Sequence, residues 1–381
     1  MAMDDAPQWV WQQPIWPALS WDSDVLAARL REVAQLQGRL LGKLEHATKE
    51  ADVASVLDAQ LQNIIQSSAI EGEHLNAESV RSSLAKRLGV EEAGLTIVTA
   101  QTEGLADLLL DATQHFDEPL TLARLYQWHH YVFPSGANSA YSVATINVGT
   151  LRGEDLMQVV SGPDHKRTVH FQAPPREGLE GQLSDFLTWI NTSRSDPTLD
   201  PILRAAKAHL WFVTLHPFDD GNGRLARAVS DYALAQGEHQ SIRYYAMASS
   251  IMENRNGYYD VLERTQKGDG DITGWMVWFV DTLIATLNTA LMRIDVVLQK
   301  ARFWQLHGQA GLKPEQIKVL NRLLDAGPGG FEGYLSAAKY QRIAKVSKAT
   351  ATRHIKELLE KKCITQLEGG GRSTRYDLCW P

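Results

Sequence analysis

Twelve residues past mid-chain, His216-Pro217-Phe218-Asp219-Asp220-Gly221-Asn222-Gly223-Arg224-Leu225-Ala226-Arg227, constrain the fold more than any other stretch. They join two segments of helical apolar periodicity, 202–215 and 224–235. Gly221 and Gly223, on either side of Asn222, let the backbone fold tightly, so that several N–H groups converge on one point. The second helix starts there and adds its positive dipole end and its unpaired N–H groups. Arg224 and Arg227 stand three apart and share a face near that start. Such a turn is a cradle for a polyphosphate.

Apolar residues at spacings of three and four recur over most of the chain. Leu26, Leu30, Val33, Leu36, Leu40 and Leu44 predict a helix over 24–46. Val56, Leu57, Leu61, Ile64 and Ile65 predict another over 53–70, stopping near Gly72 in a left-handed cap. Further helices are expected over 100–116, 120–133, 179–190 and 272–302. The segments Met157-Gln158-Val159-Val160 and Thr168-Val169-His170-Phe171, separated by Gly162-Pro163-Asp164, predict a β-hairpin with a longer loop. Trp9, Trp11, Trp16 and Trp21 follow no period and predict an extended segment clamped onto a body by large aromatics. The expected fold class is mainly α with one small hairpin.

The tail differs. Short helices are expected over 315–324, 337–345 and 350–361, the last two joined by a tight turn at Val346-Ser347-Lys348 with Ser347 as a cap. Two alternating strands within 364–378, around Gly369-Gly370-Gly371, complete a winged-helix layout. Residues 310–381 carry 13 Lys+Arg and 7 Asp+Glu although the whole chain has a net charge of −7, so the rest is acidic. Ile355, Leu358 and Leu359 form a buried stripe that leaves Arg353, Lys356 and Glu360 outward, with Arg372 and Arg375 on the wing. That layout suits DNA, while Glu357 and Glu360 dilute it and suit a protein partner; both readings stand. Two cysteines, Cys363 and Cys379, exclude a disulfide framework and point to a reducing cytoplasm. The apolar patch Trp275-Met276-Val277-Trp278-Phe279-Val280 is interrupted at Asp281, too short to span a bilayer, and the acidic amino terminus is no secretory signal. No membrane role is expected.

Beside the cradle, Asp220 suits Mg²⁺, which takes a carboxylate together with phosphate oxygens and waters. His216, just before the loop, can act as a general base near neutral pH. Together these groups point to transfer of a phosphorus-centred group to a hydroxyl. The acidic positions miss the EF-hand alternation, which excludes a calcium loop. His129, His130, His165, His170 and His209 are expected to be packing or surface residues, because no partners stand at metal spacing.

The same stretch resembles the signature of Fic domains, His-Pro-Phe-x-[Asp/Glu]-Gly-Asn-Gly-Arg-x-x-Arg, with all nine fixed positions filled. The resemblance implies an all-α core bearing a β-hairpin flap, a Trp-rich helical domain with an inhibitory helix over 1–99, a catalytic domain over 100–302 and a winged-helix domain over 303–381. It implies transfer of AMP from Mg-ATP to a Ser, Thr or Tyr hydroxyl of a target protein, with release of pyrophosphate. His216 would deprotonate the hydroxyl and Asp220 would hold Mg²⁺. Gly221, Asn222, Gly223, Arg224, Leu225, Ala226 and Arg227 would bind the nucleotide, with Tyr258 and Tyr259 at the adenine. Gln266 departs from an adenine-contacting Asn of some relatives. Val159, Val160, Ser161 and Gly162 would register the target's backbone by strand addition. Ser67-Ser68-Ala69-Ile70-Glu71-Gly72 resembles the inhibitory motif [Ser/Thr]-x-x-x-Glu-[Gly/Asn], so Ser67, Glu71 and Gly72 would form a brake in which Glu71 pairs with Arg227 in the γ-phosphate's place. The resemblance also carries homodimers and, in some relatives, removal of AMP. Two alternatives stay open: transfer of a different phosphate-bearing group, and a DNA-binding regulator whose Fic domain only senses nucleotide.

Overall fold

The computed structural model describes residues 8–45, 49–90, 97–134, 146–163, 166–238, 244–368 and 374–380. The expected turn at Gly369–Gly371, together with Asp164, His165 and Arg372, lies outside them. In chain order the helices are α1 (Ser23–Leu44), α2 (Lys49–Ile70), α3 (Ala77–Leu88), α4 (Ala100–Gln114) and α5 (Leu122–Val132). A hairpin of β1 (Gln158–Ser161) and β2 (Thr168–Gln172) follows, then α6 (Leu179–Thr192), α7 (Pro201–Leu215) and α8 (Asn222–Glu238). Next come α9 (Met247–Glu253), α10 (Arg255–Gln266) and α11 (Thr273–His307). Last are α12 (Pro314–Leu324), α13 (Ala337–Ala344), α14 (Lys348–Glu360), β3 (Ile364–Gln366) and β4 (Tyr376–Leu378).

The chain separates into two compact units, one of residues 1–38 and 56–288 and one of residues 39–55 and 289–381. The expected divisions at 99/100 and 302/303 fall elsewhere than these boundaries. In the first unit α7 packs along α8, α4 packs on α3, α5 and α8, and α6 packs on α7. Pro201 opens α7 behind the Asp200 cap, whose carboxylate accepts from the amides of Ile202 and Leu203. Thirteen of the fifteen residues of α7, Leu203 to Leu215, are buried, as a helix at the centre of a bundle requires. The tryptophan segment is clamped by its aromatics as expected, but it is not extended: Val10–Gln12 form a 3-10 turn and turns follow it. Trp9 meets Phe171 of β2 edge-on, Trp16 meets Trp211, and the Trp11 indole donates to the Gln172 carbonyl at 2.8 Å.

Helix α3 has no counterpart among the expected elements. Its buried face mixes Val80 and Leu84 with Ser79, Ser82 and Ser83, so an apolar count misses its period. The Ser79 and Ser83 hydroxyls pair with Thr102 Oγ1 at 3.0 and 3.1 Å, which satisfies polar groups buried against α4. Helix α11 runs for 35 residues where a helix is expected over 272–302, with Asp281 breaking the apolar run but not the helix, so the expectation that this stretch is too short to span a bilayer is corrected. By length and composition it could cross a membrane, with a mean hydropathy of 1.3 over its most apolar window. Its residues Trp275, Met276, Phe279, Val280, Leu283 and Leu287 are buried in the first unit, and Asp281 pairs with Arg29, as in the core helix of a bundle.

The second unit packs α12, α13, α14 and the antiparallel pair β3–β4 around Phe303, Leu320, Leu324, Tyr340, Ile355 and Leu358. Leu335 bridges to Tyr376, extending that sheet by one residue pair. Cys363 and Cys379 are free thiols whose backbones meet across the hairpin, the Cys379 amide donating to the Cys363 carbonyl at 3.1 Å.

Candidate active site

The loop between α7 and α8 is locked by its own asparagine. The Asn222 side chain accepts from the Phe218 amide at 3.0 Å and donates to the Phe218 carbonyl at 2.8 Å, and it is 2% exposed. This side chain therefore shapes the loop and leaves only its amide to face a ligand. Gly221 has φ +78°, and a Cβ there would come within 2.9 Å of the Phe133 ring. The Leu225 amide donates to the Gly221 carbonyl at 3.0 Å, while among the described residues nothing accepts from the amides of Asn222, Gly223 and Arg224. Those three donors are the unpaired start of α8. Leu225 and Ala226 are both fully buried, so their side chains belong to the core.

His216 ends α7 in the left-handed region (φ 49°), a conformation costly for a residue with a Cβ. Its carbonyl accepts from Arg152 Nε at 2.9 Å, and Arg152 also donates to the Pro174 carbonyl at 2.6 Å. His216 Nδ1 lies 3.2 Å from the Val213 carbonyl, which can only accept, so Nδ1 carries the proton and Nε2 keeps its lone pair. Burial pushes the imidazole down to about 4, opposed by the Val213 hydrogen bond and reinforced by Arg152. The ring is neutral at physiological pH, the state a base requires.

His129 sits behind the loop, a role its sequence position does not advertise. Its ring stacks on Phe218 with centroids 4.3 Å apart. Nε2 donates to the Asp220 carbonyl at 3.2 Å, and Nδ1 accepts from the Gly149 amide at 3.0 Å. Burial holds this ring near 4 as well. Asp220 is half-buried, and its Oδ1 accepts from the Gly221 amide at 2.6 Å. Among the described residues no cluster of three or more His, Cys, Asp or Glu could hold a metal. One partly committed carboxylate fits a Mg²⁺ ion that arrives with phosphate oxygens, not a resident metal caged by protein.

Both arginines of α8 are engaged by carboxylates from the turn after α2. The Ser68 carbonyl accepts from the amides of Glu71 (3.1 Å) and Glu73 (3.0 Å), and Gly72 has φ +80°, so one tight turn presents both acids. Glu71 Oε1 accepts from Arg227 Nη2 at 2.8 Å, and Arg227 Nε donates to Ser67 Oγ at 2.9 Å. Glu73 Oε2 accepts from Arg224 Nη1 at 2.7 Å. Arg224 also lies over the Phe133 ring, 4.9 Å from its centroid. A Cβ on Gly223 would fall 2.2 Å from Glu71 Oε1, so the Glu71 carboxylate occupies the mouth of the cradle. Arg224 Nε and Arg227 Nη1 are buried without an acceptor, donor capacity that an anion would satisfy. Burial pulls the Arg227 guanidinium down, and the Glu71 charge more than restores it. Glu73 was absent from the expected site, because one more acid after a helix end carries no sequence signal.

The remaining expected residues divide. Tyr258 is 1% exposed, with its hydroxyl 2.9 Å from His209 Nε2, and is buried beside the cradle, where it also meets Arg227 and the Glu71 charge. The Tyr259 hydroxyl donates to the Ile70 carbonyl at 3.2 Å, and Arg255 Nε donates to the same carbonyl at 2.6 Å. Together they clip the end of α2. Gln266 is buried and donates to Thr214 Oγ1 at 3.3 Å. The hairpin bulges between Val159 and Val160 and leaves both valines exposed. Gly162 takes φ +89° where a Cβ would meet the Lys166 carbonyl. His170 sits between Ser161 Oγ (2.6 Å) and Glu263 Oε2 (2.7 Å), which ties the hairpin to α10.

Known proteins resemble this chain in sequence and fold. The family model described as Fic/DOC family matches residues 119–234, and a domain of unknown function, DUF4172, matches residues 9–90. A protein adenylyltransferase Fic from Culex quinquefasciatus is 25% identical over 71% of this chain and 51% of its own. Another from Drosophila yakuba is 25% identical over 79% and 58%. A uridine 5'-monophosphate transferase from Xanthomonas campestris is 32% identical over 30% of this chain and 21% of its own. The chain thus spans little more than half the length of the adenylyltransferase relatives. A Fic family protein from Desulfovibrio desulfuricans G20 shares the fold with a TM-score of 0.52 and 18% identity, over 93% of this chain and 95% of that one. A Fic domain containing signaling protein from Bacteroides thetaiotaomicron does so at 0.51 and 18%, over 71% and 97%. With the full signature loop set between α7 and α8 inside the matched span, this chain carries a Fic domain.

Proposed function

We propose that this protein transfers AMP from ATP to a Ser, Thr or Tyr hydroxyl of a target protein, and that Glu71 and Glu73 hold it in a restrained state. The neutral Nε2 of His216 takes the hydroxyl proton as the target oxygen attacks the α-phosphorus. The bond between the α-phosphorus and its bridging oxygen to the β-phosphate breaks, and pyrophosphate leaves. The amides of Asn222, Gly223 and Arg224 hold phosphate oxygens, and the two guanidinium groups offset charge developing on the leaving group. Mg²⁺, held by Asp220 and the phosphates, would supply further neutralisation of phosphate charge. Val159, Val160, Ser161 and Gly162 register the target chain by strand addition. Homodimer formation belongs to the same reading, and the second unit is read as a partner-binding module.

The observation that carries this reading is the convergence of unpaired amides and two arginines, both neutralised from inside by carboxylates placed where a triphosphate's charge would lie. A uridylyl donor is the second reading, supported by the uridine 5'-monophosphate transferase among the relatives. Intact-mass measurement of Glu71→Gly protein, incubated with Mg-ATP or Mg-UTP, decides between them. A gain of one AMP per acceptor, absent in the Glu71→Gly/His216→Ala protein, is expected. Label transferred from the γ-phosphate, or no mass gain with either nucleotide, would end the proposal.

A further inference from the structure

The twenty residues 337–356 of the second unit hold Lys339, Arg342, Lys345, Lys348, Arg353 and Lys356 and not one Asp or Glu. Folding concentrates these charges. On α14 the residues Ala351, His354, Ile355 and Leu358 are buried, while Lys348, Ala349, Thr352, Arg353 and Lys356 are exposed along one face. The Arg353 and Lys356 side chains are 65% and 79% accessible. Arg342 and Lys345 are exposed on α13 and the turn that follows it, and Arg375 is exposed just before β4. The face is held rigidly, since Tyr340 of α13 bonds its hydroxyl to His354 Nδ1 at 3.0 Å beneath α14.

Two acids on α14 offset this charge only in part, since Glu357 Oε1 lies 3.9 Å from Arg353 Nε, beyond hydrogen-bonding distance, and holds closer partners elsewhere. Both Glu357 oxygens accept from Lys313 Nζ at 2.8 Å and one from Gln316 Nε2 at 2.9 Å, which draws this carboxylate against α12. Glu360 lies in the last turn, 3.9 Å from Lys356. What remains outward at the start and middle of α14 is cationic or small. A stable protein–protein site would centre on large apolar or aromatic groups, and the exposed residues of this face on α14 include none larger than Ala349. Small Ala349 and Thr352 between cations let a helix approach bases closely while the cations reach phosphates on both sides.

We propose that this face binds duplex DNA, with α14 in the major groove and Arg342, Lys345 and Arg375 on the phosphate backbone. The inference is independent of the chemistry at His216. Full-length protein is titrated against a fluorescein-labelled random duplex of about 30 base pairs, with anisotropy read at about 50 and 200 mM salt. The wild type and His216→Ala should bind equally, with affinity falling steeply as salt rises. Arg353→Glu/Lys356→Glu should weaken binding at least about tenfold and lower the salt slope by about 2. The milder Arg353→Ala/Lys356→Ala, matched to wild type in thermal melting, should weaken it in the same direction and so exclude misfolding. No anisotropy change at the lower salt, or equal affinity of wild type and the double variants, overturns the proposal. Equal affinity for poly-glutamate of matched charge also overturns it, making the face a general polyanion surface.

Discussion

Glu73 Oε2 lies 2.7 Å from Arg224 Nη1, on a guanidinium that is 4% exposed, two residues after the acid that grips Arg227. The cradle is therefore clasped at both arginines by one turn of backbone. An ion pair this buried stabilises only while both partners are present.

Removing one acid should trade stability for activity. Glu73→Gln leaves Arg224 without its counter-charge and should lower stability by about 1–3 kcal/mol, while raising AMP transfer above wild type. Glu71→Gly/Glu73→Gln should exceed either single change. Mg-ATP should raise the melting temperature of the double variant more than that of wild type, since the nucleotide restores the missing negative charge. Thermal melts with and without Mg-ATP, beside mass-based transfer rates, check this.

Gly223→Ala separates release of the acid from access of the nucleotide. The added methyl falls where Glu71 Oε1 lies and must displace it. It also fills the mouth of the cradle, so transfer should not rise and ATP binding should weaken at least about tenfold. Isothermal titration with ATP in the Glu71→Gly background, where the carboxylate is already gone, isolates the methyl's own effect.

The pH dependence follows from His216. Its folded pKa of about 4 lies below the usual histidine value, so the base is neutral across the range from about 5 to 8. The low-pH limb of transfer by Glu71→Gly protein should therefore fall near 4 and not near 6.5. A pH–rate profile at saturating Mg-ATP shows where that limb lies.

His129 should matter as much as a loop residue although it lies behind the loop. His129→Leu removes the donor to the Asp220 carbonyl and the acceptor of the Gly149 amide. In the Glu71→Gly background it should raise the Mg²⁺ concentration needed for half-maximal transfer and reduce the rate about tenfold or more. His129→Gln, which keeps a donor, should recover part of both. A Mg²⁺ titration of transfer rate reads the difference.

Acid should unfold the first unit through its buried histidines. His209 has a folded pKa of about 3, set by burial and then by Arg227. Below about 6.5 the unfolded chain binds a proton that the folded chain refuses, so stability falls as pH falls and is level above it. At pH 5 this one residue costs on the order of 2 kcal/mol relative to neutral pH. His209→Asn should flatten the fall of melting temperature between pH 7 and 5.

The helices with a strong apolar stripe, the hairpin and the loop chemistry were legible in the order of residues alone. Leu26 to Leu44 and Ile202 to Leu215 repeat at helical spacing, and His216 to Arg227 fix backbone freedom, charge and helix start within twelve residues. These are local properties, so they survive being read one residue at a time. Ser67, Glu71 and Arg227 were also legible, through the resemblance of their segments to the inhibitory motif and the signature of Fic domains. Helix α3 was not, since its inner face is satisfied by Thr102 hydrogen bonds and not by apolar burial. Glu73, His129 and Arg152 take their roles from chain segments far away, Arg224, Asp220 and the His216 carbonyl. Tyr258 turns inward because His209 and Trp275 are there to receive it. The same is true of Glu357, whose carboxylate is drawn to Lys313 and Gln316 at the start of α12 and meets Arg353 only at 3.9 Å. Partners chosen by packing across long sequence separations have no local signature, and only the folded chain decides them.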